Sequence, residues 1–365
     1  MNSLNIEYCA KCGRCNEVCP SYKVFLNESY SPRGRVRLIS ALKNKELSET
    51  DLLRRRLLSC LLCGSCLLCP VGISIPQYIY ETRANMSKAL NLYPFKFFSL
   101  HPDLFFSVLK TISPLLKFFK RYQIRKLSYF RIEKEKNSLK IYSKPLAKGR
   151  FAIFFGCSTN YMLPSLKQSL ISLLNKFGYE VLIPKQHCCG APLFSAGFKK
   201  EAVALSEKNL KIYNSFSIDG VLTPCPTCAH TIGELYKNYV GENIKVMNLS
   251  KVLEDSFELK SSQEAIFHIS CHMKNYVKDD LNLSKLLKNS GFLIKSEDGC
   301  CGFAGLFSFL FERDSIDILN KKVLKYKNVD MLITSCPNCL LQFKFVLRKN
   351  VLHYVEIFNE NLRKE

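Results

Sequence analysis

Two stretches of the chain repeat the same order of apolar and polar segments. The first opens with the strand-length run RFAIFFGC (residues 150–157) and the second with AIFHISC (265–271), each ending at a cysteine. Leu163, Leu166, Leu170 and Leu174 then hold helical spacing before Gly178, as do Leu283, Leu286 and Leu287 before Gly291. A second strand (EVLIP, FLIKS), a loop, another helix and a third strand (DGVLTPC, VDMLITSC) complete each unit. Strands alternating with helices predict a parallel sheet covered on both faces, with chemistry gathered beyond the carboxyl ends of the strands. Ahead of this tandem α/β repeat, Phe, Leu and Lys crowd residues 91–130, where Pro94, Pro102 and Pro114 are expected to break the segment into short amphipathic helices.

The cysteines follow the same plan. Of 18, eight lie between Cys9 and Cys69, five between Cys157 and Cys228, and five between Cys271 and Cys339. Cys157 pairs with Cys271 at an offset of 114, Cys188 with Cys300 at 112 and Cys225 with Cys336 at 111, so the last two groups are copies of one plan. The chain of 365 residues is 47% apolar and 23% charged, which excludes wholesale disorder and leaves room for two or three domains. No apolar run reaches the roughly 18 residues a spanning helix needs, and no basic-then-apolar leader opens the sequence, so a cytoplasmic protein is expected. In a reducing compartment many thiols mean metal or redox chemistry more often than disulfides. A net charge of +22 favours anionic partners, either an acidic protein or an anionic membrane face; no aromatic-basic recognition motif points to nucleic acid.

Cys9, Cys12, Cys15 and Cys19 precede Pro20 in the spacing C-x2-C-x2-C-x3-C-P, the bacterial ferredoxin run, in which three thiolates serve one cubane and the fourth reaches the other. Cys60, Cys63, Cys66 and Cys69 precede Pro70 in a second run shortened by one residue. With crossing ligands, Cys9, Cys12 and Cys15 share a centre with Cys69, and Cys60, Cys63 and Cys66 share one with Cys19. On a helix the missing residue would turn the Cys69 thiol by about 100°, which makes Cys69 the critical ligand. The later groups, Cys157, Cys188, Cys189, Cys225 and Cys228, then Cys271, Cys300, Cys301, Cys336 and Cys339, each hold five thiols, one more than structural zinc uses. Further iron-sulfur centres or zinc are the two readings of these lobes. In CPTC and CPNC the proline suits a first helical turn, whose dipole favours thiolate. His187 and His272 flank cysteines and are either ligands or tuning groups of a cluster or, the favoured reading, packed or solvent-facing side chains, and Arg33 and Arg35 are either cluster counter-charges or surface ion pairs.

The doublets CCGAP and CCGFAG, each with an upstream cysteine and a downstream C-x2-C, resemble the cysteine-rich CCG domain of heterodisulfide reductase subunits. Two ferredoxin runs enclosing SPRGR, followed by two CCG domains, resemble the glycolate oxidase iron-sulfur subunit over nearly the whole chain. The complete C-x2-C pairs also resemble the fused heterodisulfide reductase subunit and the iron-sulfur subunit of anaerobic glycerol phosphate dehydrogenase. The resemblance implies an α-helical ferredoxin-like domain over 1–90 with two 4Fe-4S clusters, a basic amphipathic helical linker over 91–148, and CCG lobes over 149–260 and 261–365. It further implies an electron-transfer subunit of a flavin-linked dehydrogenase for glycolate or, second, D-lactate, passing electrons towards quinone at the inner face of the membrane. No G-x-G-x-x-G or phosphate loop builds a flavin site here, so an FAD-containing dehydrogenase subunit is the implied partner, and no catalytic residue is assigned to this chain. The alternative is a heterodisulfide-reductase-like subunit that reduces a disulfide at a CCG cluster.

Overall fold

The computed structural model describes residues 6–130, 132–133, 139–143, 145–253, 263–347 and 349–361. The amino-terminal part is helical throughout. Its main helices are Pro32–Lys43, Asp51–Leu58 and Ile75–Asn85, joined by short turns that carry the cysteines. Each start is written locally. Ser31 Oγ accepts the Gly34 N–H at 2.9 Å with Pro32 at the first helical position, and Thr50 Oγ1 accepts the Leu53 N–H at 3.2 Å. Val36, Ile39, Leu53, Leu57, Ile75 and Ile79 face inward and hold the three helices together.

Residues 93–127 form helices Tyr93–Leu100, Pro102–Leu116 and Tyr122–Leu127. Pro94 and Pro102 sit in first turns, as their missing N–H allows. The expected break at Pro114 does not occur; the helix runs through it to Leu116. The Lys110 carbonyl, which the proline cannot serve, accepts the Ser113 hydroxyl at 3.0 Å, and only half a turn remains beyond the proline.

Each lobe is built on a four-stranded sheet. In the first, β1 (Lys140–Tyr142), β2 (Arg150–Ile153), β3 (Glu180–Ile183) and β4 (Gly220–Leu222) run in the order β1-β3-β2-β4; β1 is antiparallel and the rest are parallel. In the second, β5 (Glu264–Ser270), β6 (Leu293–Gly299), β7 (Met331–Thr334) and β8 (Asn350–His353) run β6-β5-β7-β8, all parallel. The edge strands β1 and β8 carry no run long enough to announce them in the sequence. The counterpart of β8 in the first lobe is a single parallel bridge from Val221 to Val246. Along β2, Phe151 and Ile153 face one core while Ala152 and Phe154 face another, the two-sided burial of a parallel strand.

The first of those cores runs through both lobes. Leu166, Leu170 and Leu174 of helix Pro164–Lys176 pack with Val355 and Phe358 of the last helix, Tyr354–Asn361. The second core joins Ala152, Phe154 and Val221 to Ile75, Ile79 and Leu57 of the amino-terminal helices. All parts of the chain thus share packing.

Two buried histidines are expected to make the stability of the second lobe pH-dependent. His268 on β5 is fully buried with Nδ1 2.9 Å from the Tyr326 hydroxyl, and His353 on β8 is equally buried. Burial lowers both imidazoles from 6.5 to about 3. A depressed histidine stabilises the fold fully above pH 6.5, and that contribution is lost as pH falls towards 3, at most about 1.4 kcal/mol per pH unit for each group. The urea midpoint is expected to fall between pH 6.5 and 4 less steeply in His268→Gln than in the wild type. Equal slopes would show that His268 carries no such linkage.

Candidate metal centres

The two amino-terminal cysteine runs share the backbone turn around their second cysteine. Lys11 and Leu62, each just before the second cysteine, hold φ 56° and 54°, and Gly13 and Gly64, just after it, hold φ 81° and 75°. Left-handed backbone is disfavoured for Lys and Leu, and its recurrence at equivalent positions marks loops wrapped to aim thiols inward. Cys9, Cys12, Cys15 and Cys69 line one small cavity, walled by Val36, Ile73 and Ile75 and reached by Arg33. Cys19, Cys60, Cys63 and Cys66 line a second with Leu62, Ile75, Pro76 and Arg35. The helical argument against Cys69 does not apply, because the 3-10 turn Ser65–Leu68 ends before it and Cys69 is non-helical at φ −59°, ψ 122°.

Burial pushes the Cys15 thiol up to about 11 and raises Cys63 and Cys66 as well. A metal ligand is a thiolate, so binding a cationic centre here would displace the protons of Cys15, Cys63 and Cys66. Four converging thiols in an apolar cavity are the donor set of a four-iron cubane. Among the described residues no three His, Cys, Asp or Glu side chains form a single-ion site; the thiols stand in the wider sets just given.

In both lobes the cysteines lie past the carboxyl ends of β2, β3 and β4, or β5, β6 and β7. The glycines of the doublets, Gly190 and Gly302, take φ 88° and 81°, which swings the chain away directly after the paired thiols. In the first lobe Cys157 contacts Cys188, Cys228 Sγ lies 3.6 Å from Cys189 Sγ, and Cys225 contacts Cys228. In the second, Cys271 contacts Cys300, and Cys339 Sγ lies 3.0 Å from Cys301 Sγ. Hydrogen bonds from neighbouring thiols, Cys188 first, lower Cys189 to about 5; the Cys339 thiol likewise lowers Cys301. Cys225 and Cys336 open helices Pro226–His230 and Pro337–Leu347, as the prolines predict, and the two thiols contact each other across the lobes.

The doublet backbone of the first lobe is pinned. Asn209 Nδ2 donates to the Cys188 carbonyl at 3.0 Å, and the Tyr236 hydroxyl donates to the Cys189 carbonyl at 3.1 Å. Gly156 has no room for a side chain, since a Cβ there would lie 2.6 Å from Cys228 Sγ.

The second lobe also grips the amino-terminal cysteines. Asn275 Nδ2 donates to the Cys63 carbonyl at 2.9 Å and the Tyr276 hydroxyl to the Leu62 carbonyl at 3.1 Å. Cys63 and Cys300 belong to one buried group with Leu61, Phe307 and Phe311. Cys271 and Cys300 also line an open cleft of about 1080 Å³ where all three parts of the chain meet, with Lys274, Lys321, Lys322 and Lys325 around it.

Both histidines that flank cysteines are half-buried: His272 places Nδ1 3.5 Å from Cys271 Sγ, whereas the peptide N–H of His187 donates to Asn209. Three residues escaped sequence reasoning. His230 stacks on Tyr276 with ring centroids 3.8 Å apart. Arg83 is buried and donates to the carbonyls of Leu57, Cys60 and Ser195. Lys126 is buried near Cys301, its Nζ donating to Gln123 and Gln342, and burial lowers it to about 7. Nothing in the periodicity of their segments distinguishes them from surface positions.

Residues 5–73 match the 4Fe-4S dicluster domain, and residues 151–233 and 265–344 each match the cysteine-rich domain CCG. The chain is 26% identical to the probable glycolate oxidase iron-sulfur subunit of Bacillus subtilis, across 94% of this chain and 89% of that one. It is 24% identical to lactate utilization protein A of an Exiguobacterium species, across 58% of this chain and 98% of the relative. A hypothetical protein from Helicobacter pylori shares the fold at a TM-score of 0.54 and 13% identity, over 92% of this chain and 68% of that structure.

Proposed function

Because the chain belongs to the iron-sulfur proteins that join a 4Fe-4S dicluster domain to two cysteine-rich CCG domains, we propose that it is the electron-transfer subunit of a flavin-linked 2-hydroxyacid dehydrogenase, with glycolate as the first candidate substrate and D-lactate the second. The observation that carries this reading is the unbroken succession of thiol groups. Cys15 lies within electrostatic reach of Cys66, Cys63 within reach of Cys300, and Cys336 touches Cys225. In this reading Cys9, Cys12, Cys15 and Cys69 hold one 4Fe-4S centre, Cys19, Cys60, Cys63 and Cys66 the other, and the five cysteines of each lobe a further centre. Bound centres would supply one-electron storage and transfer. The protein's own part is to fix the thiols on strained loops, exclude water with apolar walls, and keep successive groups close.

The partner is then an FAD-containing subunit that takes hydride from the hydroxyacid, and the acceptor is quinone at a membrane. Among the described residues no helix is long and apolar enough to cross a bilayer. Peripheral contact is supported by helix Pro102–Leu116, where Leu104, Val108, Ile112 and Leu115 form an exposed stripe continued by Phe118 and Phe119. Lys110, Lys117 and Lys120 accompany it, and the one acid between residues 91 and 132, Asp103, accepts the Tyr161 hydroxyl at 2.6 Å. An apolar stripe flanked by cations suits an anionic lipid surface.

A heterodisulfide-reductase-like role remains the second reading, favoured by the cleft at Cys271 and Cys300, where Lys274 and Lys325 pair with Asp298 and Glu297 while Lys321 and Lys322, whose Nζ atoms donate to carbonyls, leave positive charge for a small anionic substrate. One reconstitution separates them. Anaerobically purified chain should carry at least about eight irons, those of its two amino-terminal four-iron centres, with comparable sulfide, and should not oxidise glycolate or D-lactate alone. With the flavoprotein and anionic vesicles containing quinone, it should sediment with the vesicles and restore quinone reduction. Hydroxyacid oxidation by the pure chain, or zinc in place of iron, would overturn the proposal; thiol release from a disulfide without flavoprotein would favour the second reading.

A further inference from the structure

The two arginines of SPRGR meet different fates. Arg33 is half-exposed beside the Cys9 cavity; its Nε lies 2.7 Å from Glu28 Oε1 and its Nη1 donates to the Lys11 carbonyl. Its charge is cancelled where it stands. Arg35 is 1% exposed and lines the cavity of Cys19, Cys60, Cys63 and Cys66. Its Nε donates to the Arg56 carbonyl at 3.0 Å, and its Nη2 to Ser21 Oγ at 3.0 Å and Ser59 Oγ at 2.7 Å. All these partners are neutral. Ser21 Oγ lies in turn 3.2 Å from Cys19 Sγ. Arg83 adds a second buried guanidinium, bound only to carbonyls, Cys60 among them.

Burying an unpaired guanidinium is strongly unfavourable unless an opposite charge lies close. The groups that can supply that charge at Arg35 are the thiolates facing it and the centre they hold. We infer that Arg35 is the counter-ion of the centre held by Cys19, Cys60, Cys63 and Cys66, and makes it the more easily reduced of the two amino-terminal centres. The inference rests on the ligand sets proposed above. A fixed positive charge in a poorly solvated site favours the form that has gained an electron, while Glu28 removes that advantage at the other cavity. Transfer is then one electron from the reduced centre at Cys9, Cys12, Cys15 and Cys69 to the oxidised centre beside Arg35, with no proton moved. Cys12 is exposed, so the first centre is the entry, and Cys63 hands over to Cys300 in the second lobe.

Redox titration of the full chain, reconstituted anaerobically with iron and sulfide and followed by electron paramagnetic resonance, tests this directly. Cys12→Ser and Cys63→Ser assign the signals; if Cys63→Ser removes neither, the ligand sets are wrong and the inference falls with them. In the wild type the Cys63-dependent centre should have the higher midpoint, and the reverse order overturns the inference without touching the ligand sets. In Arg35→Gln its reduced-to-oxidised ratio at fixed potential should fall at least tenfold, about 59 mV for one electron. Arg35→Lys, which keeps the charge, should stay near the wild type, and Arg33→Gln should leave this centre unmoved. An unchanged midpoint in Arg35→Gln overturns the counter-ion role. Should Arg35→Gln shed this centre's iron while Arg35→Lys keeps it, the need for the charge is upheld; loss from both leaves the wild-type order to decide.

Discussion

Alanine at Gly34 is expected to destabilise the amino-terminal helices by about 3 kcal/mol and to cost the protein its amino-terminal iron. A Cβ at this position would stand 1.9 Å from the Glu28 carbonyl oxygen and 2.8 Å from its carbon, and both belong to backbone that cannot swing aside. Relief requires helix Pro32–Lys43 to back away from residues 28–30. That helix carries Arg33 and Arg35 to the two cavities and Val36 to the first, so the thiol sets would be spread at once. Ser31→Ala, which removes only the cap on the Gly34 N–H, should weaken the helix by about 1 kcal/mol and leave iron in place. Thermal unfolding and iron analysis of both variants decide the matter. A Gly34→Ala protein with wild-type melting and iron content would show that the close approach is not required.

Serine at Cys189 or Cys301 should remove iron beyond the amino-terminal eight or so, and cut electron delivery at least tenfold, while both amino-terminal signals persist. Each of these residues is the second member of its doublet, touches the last cysteine of its lobe, and is drawn towards thiolate by its neighbours. Metal analysis of the full chain provides the check. If either variant loses a single zinc and no iron, the lobes are structural and electrons must leave from the amino-terminal part.

Much of this architecture was legible because the sequence repeats itself. A run such as EVLIP between a glycine-stopped helix and a cysteine doublet can hardly be anything but a buried strand, and both lobes spell the same order. What stayed hidden depends on distant partners. β1 is stabilised by an edge it does not encode, and β8 follows a helix that itself opens at Cys336. The crossing of Cys69 to the first run and Cys19 to the second could be proposed from spacing, yet the shortened run read poorly as a helix because its last cysteine lies beyond one. Arg35 was undecidable between ion pair and counter-charge: the two arginines of SPRGR differ only in which side of a helix each occupies. Lys126, in a segment that reads as a surface-bound linker, reaches the second lobe through Gln342, a contact across 216 residues that no local pattern records.

The hydrogen bonds from Asn275 and Tyr276 to the loop of Cys60–Cys66 join residues separated by 212 and 214 positions. During synthesis that loop therefore leaves the ribosome long before the side chains that brace it exist. Both cavities are lined by residues 9–76 alone, so the two thiol sets can come together early on the nascent chain, whereas the brace on the second arrives only with the carboxyl-terminal lobe. A truncated translation product would hold its second thiol set on an unbraced loop.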